Sequence, residues 1–284
     1  MPKYDRRRKY YMVLDCETAT LPFADGLDED SKKAIAIAKP LIYDIGWKIV
    51  DKNGNIYNSE NFLISEIFSV PSIFNTAYYA DKRPIYLEKL KNKEIVLTDW
   101  QTAITALLAD LEIVEAVGAY NSMFDFKKAI PFTELYITKL YSADFQKWLD
   151  WQEKSCEWLA NGGKPTGKVP FEEQIFRFRG QTYPLFDIWG LSCQHILNCD
   201  SYKQMCIDNA WQTASGKYFK TSAETAYRFL SGNLDFDEAH TAIDDCVIET
   251  RLFAEVVKRT KGKWDMGINF FPFRLLGTVA SFAP

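Results

Sequence analysis

The chain has 284 residues, 47% of them hydrophobic and 25% charged, enough to bury a large core as one elaborated domain spanning 1–284. Its formal net charge of −4 counts against a protein that coats nucleic acid with its whole surface, but not against local binding where bound cations offset acidic side chains. No apolar run approaches the ~18 residues of a membrane span, and the basic start at Arg6 to Lys9 runs into Tyr10 and Tyr11 without the apolar stretch of a signal peptide, so no membrane association and a cytoplasmic location are expected.

Tyr10 to Cys16 reads as a strand and Ile42 to Val50 as a second. The turn residues Asp51 to Asn55 return the chain into a third strand over Ile56 to Ile64, which makes an antiparallel meander. Residues 65–96 are aromatic and read as irregular, an insertion between regular elements. Thr98 and Asp99 mark a helix start, with Trp100, Ile104, Leu107, Leu108 and Leu111 at helical spacing. Val114 to Tyr120 fits a short buried strand, and Ser122 opens a short helix that should end before Pro131. Residues 131–180 form a second expected insertion, with helical pieces around 134–159 and a turn-rich close at Asn161 to Pro165. Pro184 to Ile188 reads as a strand followed by a helix through Leu197. Thr221 and Ser222 cap a helix through Leu230, and Thr241 to Lys258 is the most periodic segment of all. A meander followed by helix, strand and helix predicts a mixed α/β sheet with helices on its faces.

The six cysteines form no CxxC pair. Cys193, His195, Cys199 and Cys206 match no standard zinc spacing and read as reduced, mostly buried thiols beside Cys16, Cys156 and Cys246. Basic stretches at Arg6 to Lys9, Lys127 and Lys128, and Lys258 to Lys263 read first as solvated surface charge.

Three acidic segments carry the chemistry. Asp15 and Glu17 are two apart on a strand, so they share a face while Leu14 and Cys16 point the other way, into the core. Asp125 follows Ser122, Met123 and Phe124 in a pattern that fits a capping box, which would explain it without chemistry. His240, one of two histidines, precedes the long helix, where it could cap, pack, or take a proton from water. Of the two aspartates after it, Asp245 shares a face with Ile248, Leu252 and Val256 and should point toward the protein body. Asp244 falls on a more mixed, wetter side. A carboxylate on the core-facing stripe is costly without a partner, and a bound cation would supply one. Gathered in one pocket, two carboxylates ~4 Å apart repel by roughly 4 kcal/mol at an effective dielectric of ~20, so the group needs hard cations such as Mg2+ or Mn2+.

The joint pattern resembles the DEDDh superfamily of 3′→5′ exonucleases. Asp15-Cys16-Glu17-Thr18 matches the D-x-E-T strand, Tyr120-Asn121-Ser122-Met123-Phe124-Asp125 the HN-x-x-FD motif, and His240-Thr241-Ala242-Ile243-Asp244-Asp245 the H-x-A-x-x-D motif, in the family's order and with its spacings. Tyr120 replaces a frequent histidine, and Ala19 stands where a glycine is frequent. The resemblance implies an RNase H-like fold: a mixed β-sheet flanked by helices, with insertions at 65–96 and 131–180. It also implies two divalent cations, Mg2+ or Mn2+, about 4 Å apart on the scissile phosphate. Asp15 would bridge them, Glu17 and Asp245 would complete the first site, Asp125 would support the second, and His240 would act as general base. Thr18 and Asn121 would hold the terminal nucleotide, while Phe124 belongs to the core. The implied partner is nucleic acid with a single-stranded 3′ end, DNA foremost, and the product a nucleoside 5′-monophosphate. Aromatics of 65–96 could stack on unpaired bases. The alternatives are a 3′→5′ exoribonuclease, a proofreading subunit, and a non-catalytic nucleic-acid-binding protein on the same fold.

Overall fold

The computed structural model describes residues 4–5, 7–23, 26–139, 147, 150 and 167–282. The expected helical pieces around 134–159 and Cys156 therefore lie largely or wholly outside the described residues.

Seven strands form one sheet in the order β4-β3-β2-β1-β5-β7-β6. They are β1 (Tyr10–Ala19), β2 (Leu41–Asp51), β3 (Ile56–Ile64), β4 (Val96–Thr98), β5 (Ala116–Ala119), β6 (Ile175–Phe178) and β7 (Gln181–Asp187). Strand β2 lies antiparallel between β1 and β3, whereas β5 runs parallel to both β1 and β7. Asp51 seals the meander turn by accepting from the backbone N–H groups of Asn53 at 2.8 Å and Asn55 at 3.1 Å. A central strand β1 with β2 opposed and β5 and β7 following in parallel is the RNase H-like arrangement, and it is the fold class the motifs imply.

The period of the strand sorts β1 between two cores. Met12, Leu14 and Cys16 pack on one face of the sheet with Trp47, Phe62, Trp100, Leu107 and Phe126. Val13 packs on the other with Val50, Phe186, Phe253 and Val256. Asp15 and Glu17 have the parity of Val13, so the pleat turns them toward the second face.

The α-helices with described bounds are, in chain order, α1 (Glu29–Ala38), α2 (Ser65–Phe68), α3 (Pro71–Phe74), α4 (Arg83–Lys91), α5 (Trp100–Leu111), α6 (Ser122–Phe124), α7 (Ile130–Lys139), α8 (Ile188–Ser192), α9 (Asp200–Asp208), α10 (Ala223–Ser231), α11 (Ala242–Arg259) and α12 (Val279–Phe282). Caps read from the sequence are present: Asp99 accepts from the Thr102 N–H at 2.9 Å and Ser222 from the Thr225 N–H at 3.3 Å.

Two expectations are corrected. Residues 65–96 are not irregular but hold α2, α3 and α4, with Pro71 and Pro84 in the first turns of α3 and α4, where a missing N–H costs nothing. Their aromatics Phe68, Phe74 and Tyr86 are buried. The helix begun at Ser122 does not stop before Pro131. A π-helical turn over Asp125–Ala129 intervenes, and Pro131 becomes the second residue of α7, at the start of a fresh α segment.

Candidate active site

The long helix α11 lies across β1 and β2 on the face that Asp15 and Glu17 share. One glycine permits this approach. Gly46 pairs with Asp15 across the β1–β2 ladder. A Cβ there would stand 2.8 Å from the Ile243 backbone nitrogen and 3.0 Å from the Ala242 carbonyl carbon. The first turn of α11 thus presses on the sheet through a missing side chain. Cys246 follows on the same face, its Sγ 3.6 Å from the Val13 carbonyl oxygen and 3.4 Å from that of Gly46.

Asp44, which pairs with Glu17 in the ladder, receives the start of that helix. It is fully buried, and its Oδ2 accepts from the Ala242 N–H at 2.9 Å while Oδ1 accepts from Asn61 Nδ2 at 2.6 Å. Thr241, the residue before the helix, has no side-chain cap bond of its own. An acid on a neighbouring strand therefore caps the first N–H of α11.

These contacts bring Glu17, His240 and Asp245 together: one ligand atom from each lies within 4.8 Å of the others. Among the described residues no other group of three such side chains is that close. The tempting Cys193, His195, Cys199 and Cys206 do not assemble, and the five described cysteines are free thiols. Asp245 is 6% exposed and its Oδ1 has no hydrogen-bond partner. Asp244, as its helical position predicts, faces outward and pairs with Lys89 Nζ at 2.5 Å.

Asp125 is buried, and the structure replaces the helix-capping role that its motif offered. Ser122 lies inside α6 rather than ahead of it, and Asn121, at the N-cap, makes no side-chain cap bond. The Ser122 hydroxyl instead joins strand ends, accepting from the Ala119 N–H at 2.9 Å and donating to the Phe186 carbonyl at 2.5 Å. Asp125 is left facing Asp15, and the backbone N–H of Cys16 stabilises the ionised form of both.

The electrostatics are those of acids crowded away from water. Burial first, then the charges of Glu238 and Asp44, push Asp15 up to about 8. Burial, Asp15 and Glu238 push Asp245 up to about 10. Glu17 and Asp125 rise well above the carboxylate range through burial and the nearby Asp15. The residues fit a divalent cation on this chain's own terms: an oxygen-rich donor set, an orphaned buried carboxylate oxygen on Asp245, and carboxyl groups that cannot all ionise without countercharge.

Glu238, 9% exposed with its Oε2 3.7 Å from His240 Nδ1, went unread in the sequence, and so did three more acids. Asp187 ends β7, and its Oδ1 accepts from the N–H groups of Asn121 at 3.1 Å and Ser122 at 3.0 Å while its Oδ2 accepts from that of Gly190 at 2.9 Å. It thereby fixes Asn121 in a left-handed turn at φ 79°. Asp44 is the second. The third, Glu249, lies one helical turn beyond Asp245 and is 2% exposed, with an unpartnered Oε2 and a pKa raised by burial and then by Asp15, Asp125 and Asp245. Its place four residues after Asp245 on a core-facing stripe was the available signal.

Tyr120, which stands in for a histidine of the motif, turns from the carboxylates. Its hydroxyl donates to the Thr221 carbonyl at 2.7 Å and its ring stacks toward Trp189 at 6.5 Å. Phe124 packs partly buried against the core, as expected. Tyr78 alone of the aromatics in 65–96 is widely open, at 80% exposure.

No protein-family model matches the sequence, and no curated protein does. Among solved structures, the chain is similar to S. pombe Pop2p in its Mg2+- and Mn2+-bound form, at 12% identity and a TM-score of 0.44, over 94% of this chain and 88% of that one. It is similar to cell-death related nuclease 4 (CRN-4) at 11% identity and a TM-score of 0.36, over 88% of this chain and 64% of that one, less than two thirds of its length. A 3′-exonuclease with 3′-end specific recognition of histone mRNA stem-loop aligns at 11% identity and a TM-score of 0.31, over 98% of this chain and 93% of that one. The strand order and register of this chain give an RNase H-like fold on their own, and on it Glu17, His240 and Asp245 converge.

Proposed function

We propose that the chain is a metal-dependent 3′→5′ exonuclease acting on single-stranded DNA ends and releasing nucleoside 5′-monophosphates. The observation that carries this reading is the convergence of Glu17, His240 and Asp245 within 4.8 Å on the face where Asp15 and Asp125 also crowd. The 3′ polarity follows the DEDDh resemblance.

Asp15, Glu17, Asp125 and Asp245 would hold two divalent cations, Mg2+ or Mn2+, which supply charge stabilisation at the phosphate and offset the carboxylates. Burial, and then the charge of Lys82, lower the His240 pKa, so its imidazole is neutral at neutral pH. A ring nitrogen then accepts the proton of the attacking water as the water oxygen bonds to phosphorus. The P–O3′ bond breaks with its electron pair going to the 3′ oxygen, which takes a proton from solvent water to become the hydroxyl of the shortened strand. Asn121, set in its left-handed turn by Asp187, and Thr18, beside the acids on β1, position the terminal nucleotide. Tyr78 offers an exposed ring to an unpaired base.

Asp15→Asn and Asp245→Asn should each abolish Mn2+-dependent release of mononucleotides from a 5′-labelled single-stranded oligonucleotide. Undiminished release by both purified variants rejects the assignment. Matched DNA and RNA oligonucleotides in the same assay decide the substrate, and labelling the opposite end decides the polarity.

A further inference from the structure

His240 has the Glu238 Oε2 at 3.7 Å from its Nδ1 and a backbone bond to Asp245, and its other contacts come from the 76–89 segment. His240 has φ 53°, in the left-handed region that a residue with a Cβ occupies only when its surroundings demand it. The Tyr79 ring stacks on its imidazole at 4.0 Å between centroids and 13° between planes. Lys82 Nζ donates to the Ala239 carbonyl at 2.8 Å, the Tyr86 hydroxyl to the His240 carbonyl at 3.3 Å, and Lys89 Nζ to Thr241 Oγ1 at 3.2 Å. Lys82 Nζ also lies 5.3 Å from the Tyr79 ring centroid.

The same segment grips the other side of the site. Thr76 Oγ1 accepts from the Thr20 N–H at 2.8 Å and donates to the Thr20 carbonyl at 2.9 Å, at the end of the strand that bears Asp15 and Glu17. Only Ala77 and Tyr78 separate that anchor from Tyr79, whose ring lies over His240. Segment 76–89 therefore spans from the carboxylate strand to the histidine loop.

The geometry points to a bracket: residues 76–89 set the distance and orientation of His240 relative to Glu17, with Tyr79 as the positioning residue. Face-on stacking suits this task because it fixes the ring plane without occupying a ring nitrogen: Nδ1 faces Glu238 Oε2 at 3.7 Å, and the stack leaves Nε2 to the water. Tyr79 itself is only partly buried, so its placement is not dictated by the core. The inference deepens the exonuclease reading and rests on it for the consequence to rate.

The experiment uses the full chain with Tyr79→Leu, Tyr79→Phe, Lys82→Met and His240→Ala. The chain has two histidines, so imidazole proton resonances of the metal-free protein are assigned by their loss in His240→Ala. The His240 signals should lie upfield from the ring current of Tyr79, move toward free imidazole in Tyr79→Leu, and return in Tyr79→Phe. With Mn2+ and a single-stranded oligonucleotide, Tyr79→Leu should lose about tenfold in kcat at a nearly unchanged KM, part of the loss of about a hundredfold or more expected of His240→Ala. Tyr79→Phe should keep the wild-type rate. Lys82→Met, which removes no core side chain, should lower kcat by about threefold in the same direction. Wild-type kcat in both Tyr79→Leu and Lys82→Met, or an unmoved His240 resonance in Tyr79→Leu, overturns the bracket. A wild-type rate in His240→Ala instead overturns the general base, while the resonances still report whether the bracket exists.

Discussion

At the scale of single residues, Asp44 shows how a side chain outside the motifs can govern them. Its carboxylate joins β2 to the first turn of α11 across a sequence separation of 198 residues. Asp44→Ala would leave the Ala242 N–H without its acceptor in a dry interior, which costs about 1–3 kcal/mol, while Asn61 Nδ2 would keep only its bond to the Ile45 carbonyl. Asp44→Asn keeps an acceptor oxygen and should cost less. Denaturant melts of the two variants check the order, and an Ala variant as stable as the Asn variant contradicts it. Of the motif acids, Asp245 stood out as a carboxylate on an apolar helical stripe and Asp15 with Glu17 as a pair on one strand face, whereas Asp125 had a helix-capping explanation and was singled out only by the joint motif pattern. Asp44 and Asp187 were not, because one acid within an apolar strand, or at its end, has no sequence signature for partners brought near only by the fold. Glu249 carried the same stripe signal as Asp245 and was passed over because the motif ends before it.

Among the elements, the fit of α11 against β1 and β2 decides whether Asp245 reaches Glu17. Gly46 is the contact, since any side chain there meets backbone rather than a side chain that can swing away. Gly46→Ala should destabilise by about 1–3 kcal/mol through overpacking and should cut turnover more than its stability loss explains, because it lifts Asp245 and His240 together from the sheet. Thermal melts and initial rates on the same preparation test this, and full activity at lowered Tm would show that the helix can tilt without parting the site. Strands β1, β2, β3 and β5 and helices α5, α10 and α11 were read because periods of two and 3.6 survive tertiary context, whereas the short strands β4 and β6 and the helices α1 and α9 went unread. The 65–96 region was misread because its helices are short: α2 and α3 have four residues each. Four residues show barely one helical period, and their proline starts resemble loop punctuation. Pro131 misled for a related reason, since nothing in the sequence marks a π turn that resets the helix before it.

For the molecule as a whole, the acidic pocket links folding to pH and to metal. An ordinary aspartate titrates at 3.8, yet Asp15 is pushed up to about 8 and Asp245 to about 10 in the fold. Above the lower value the unfolded chain gives up these protons while the native chain keeps them. Stability must therefore fall as pH rises through that window and be greatest on its acid side. The Tm of the metal-free protein should decline from about pH 5 to about pH 8. Mn2+ at a hundredfold excess over its Kd should restore about 2.7 kcal/mol at the alkaline end. A flat profile with no response to Mn2+ would show that the carboxylates neither share strain nor share a cation.

The sheet's borders carry a separate consequence. One is β4, three residues long, and the other is β6, four residues long and folded back on β7 as a hairpin. Each offers a foreign strand only a few backbone partners, so cross-chain ladder growth finds little template there. Should the acid-laden pocket loosen in the absence of divalent ions, the borders of this sheet will resist seeding fibrils, and clumping will begin from unmasked apolar surface instead.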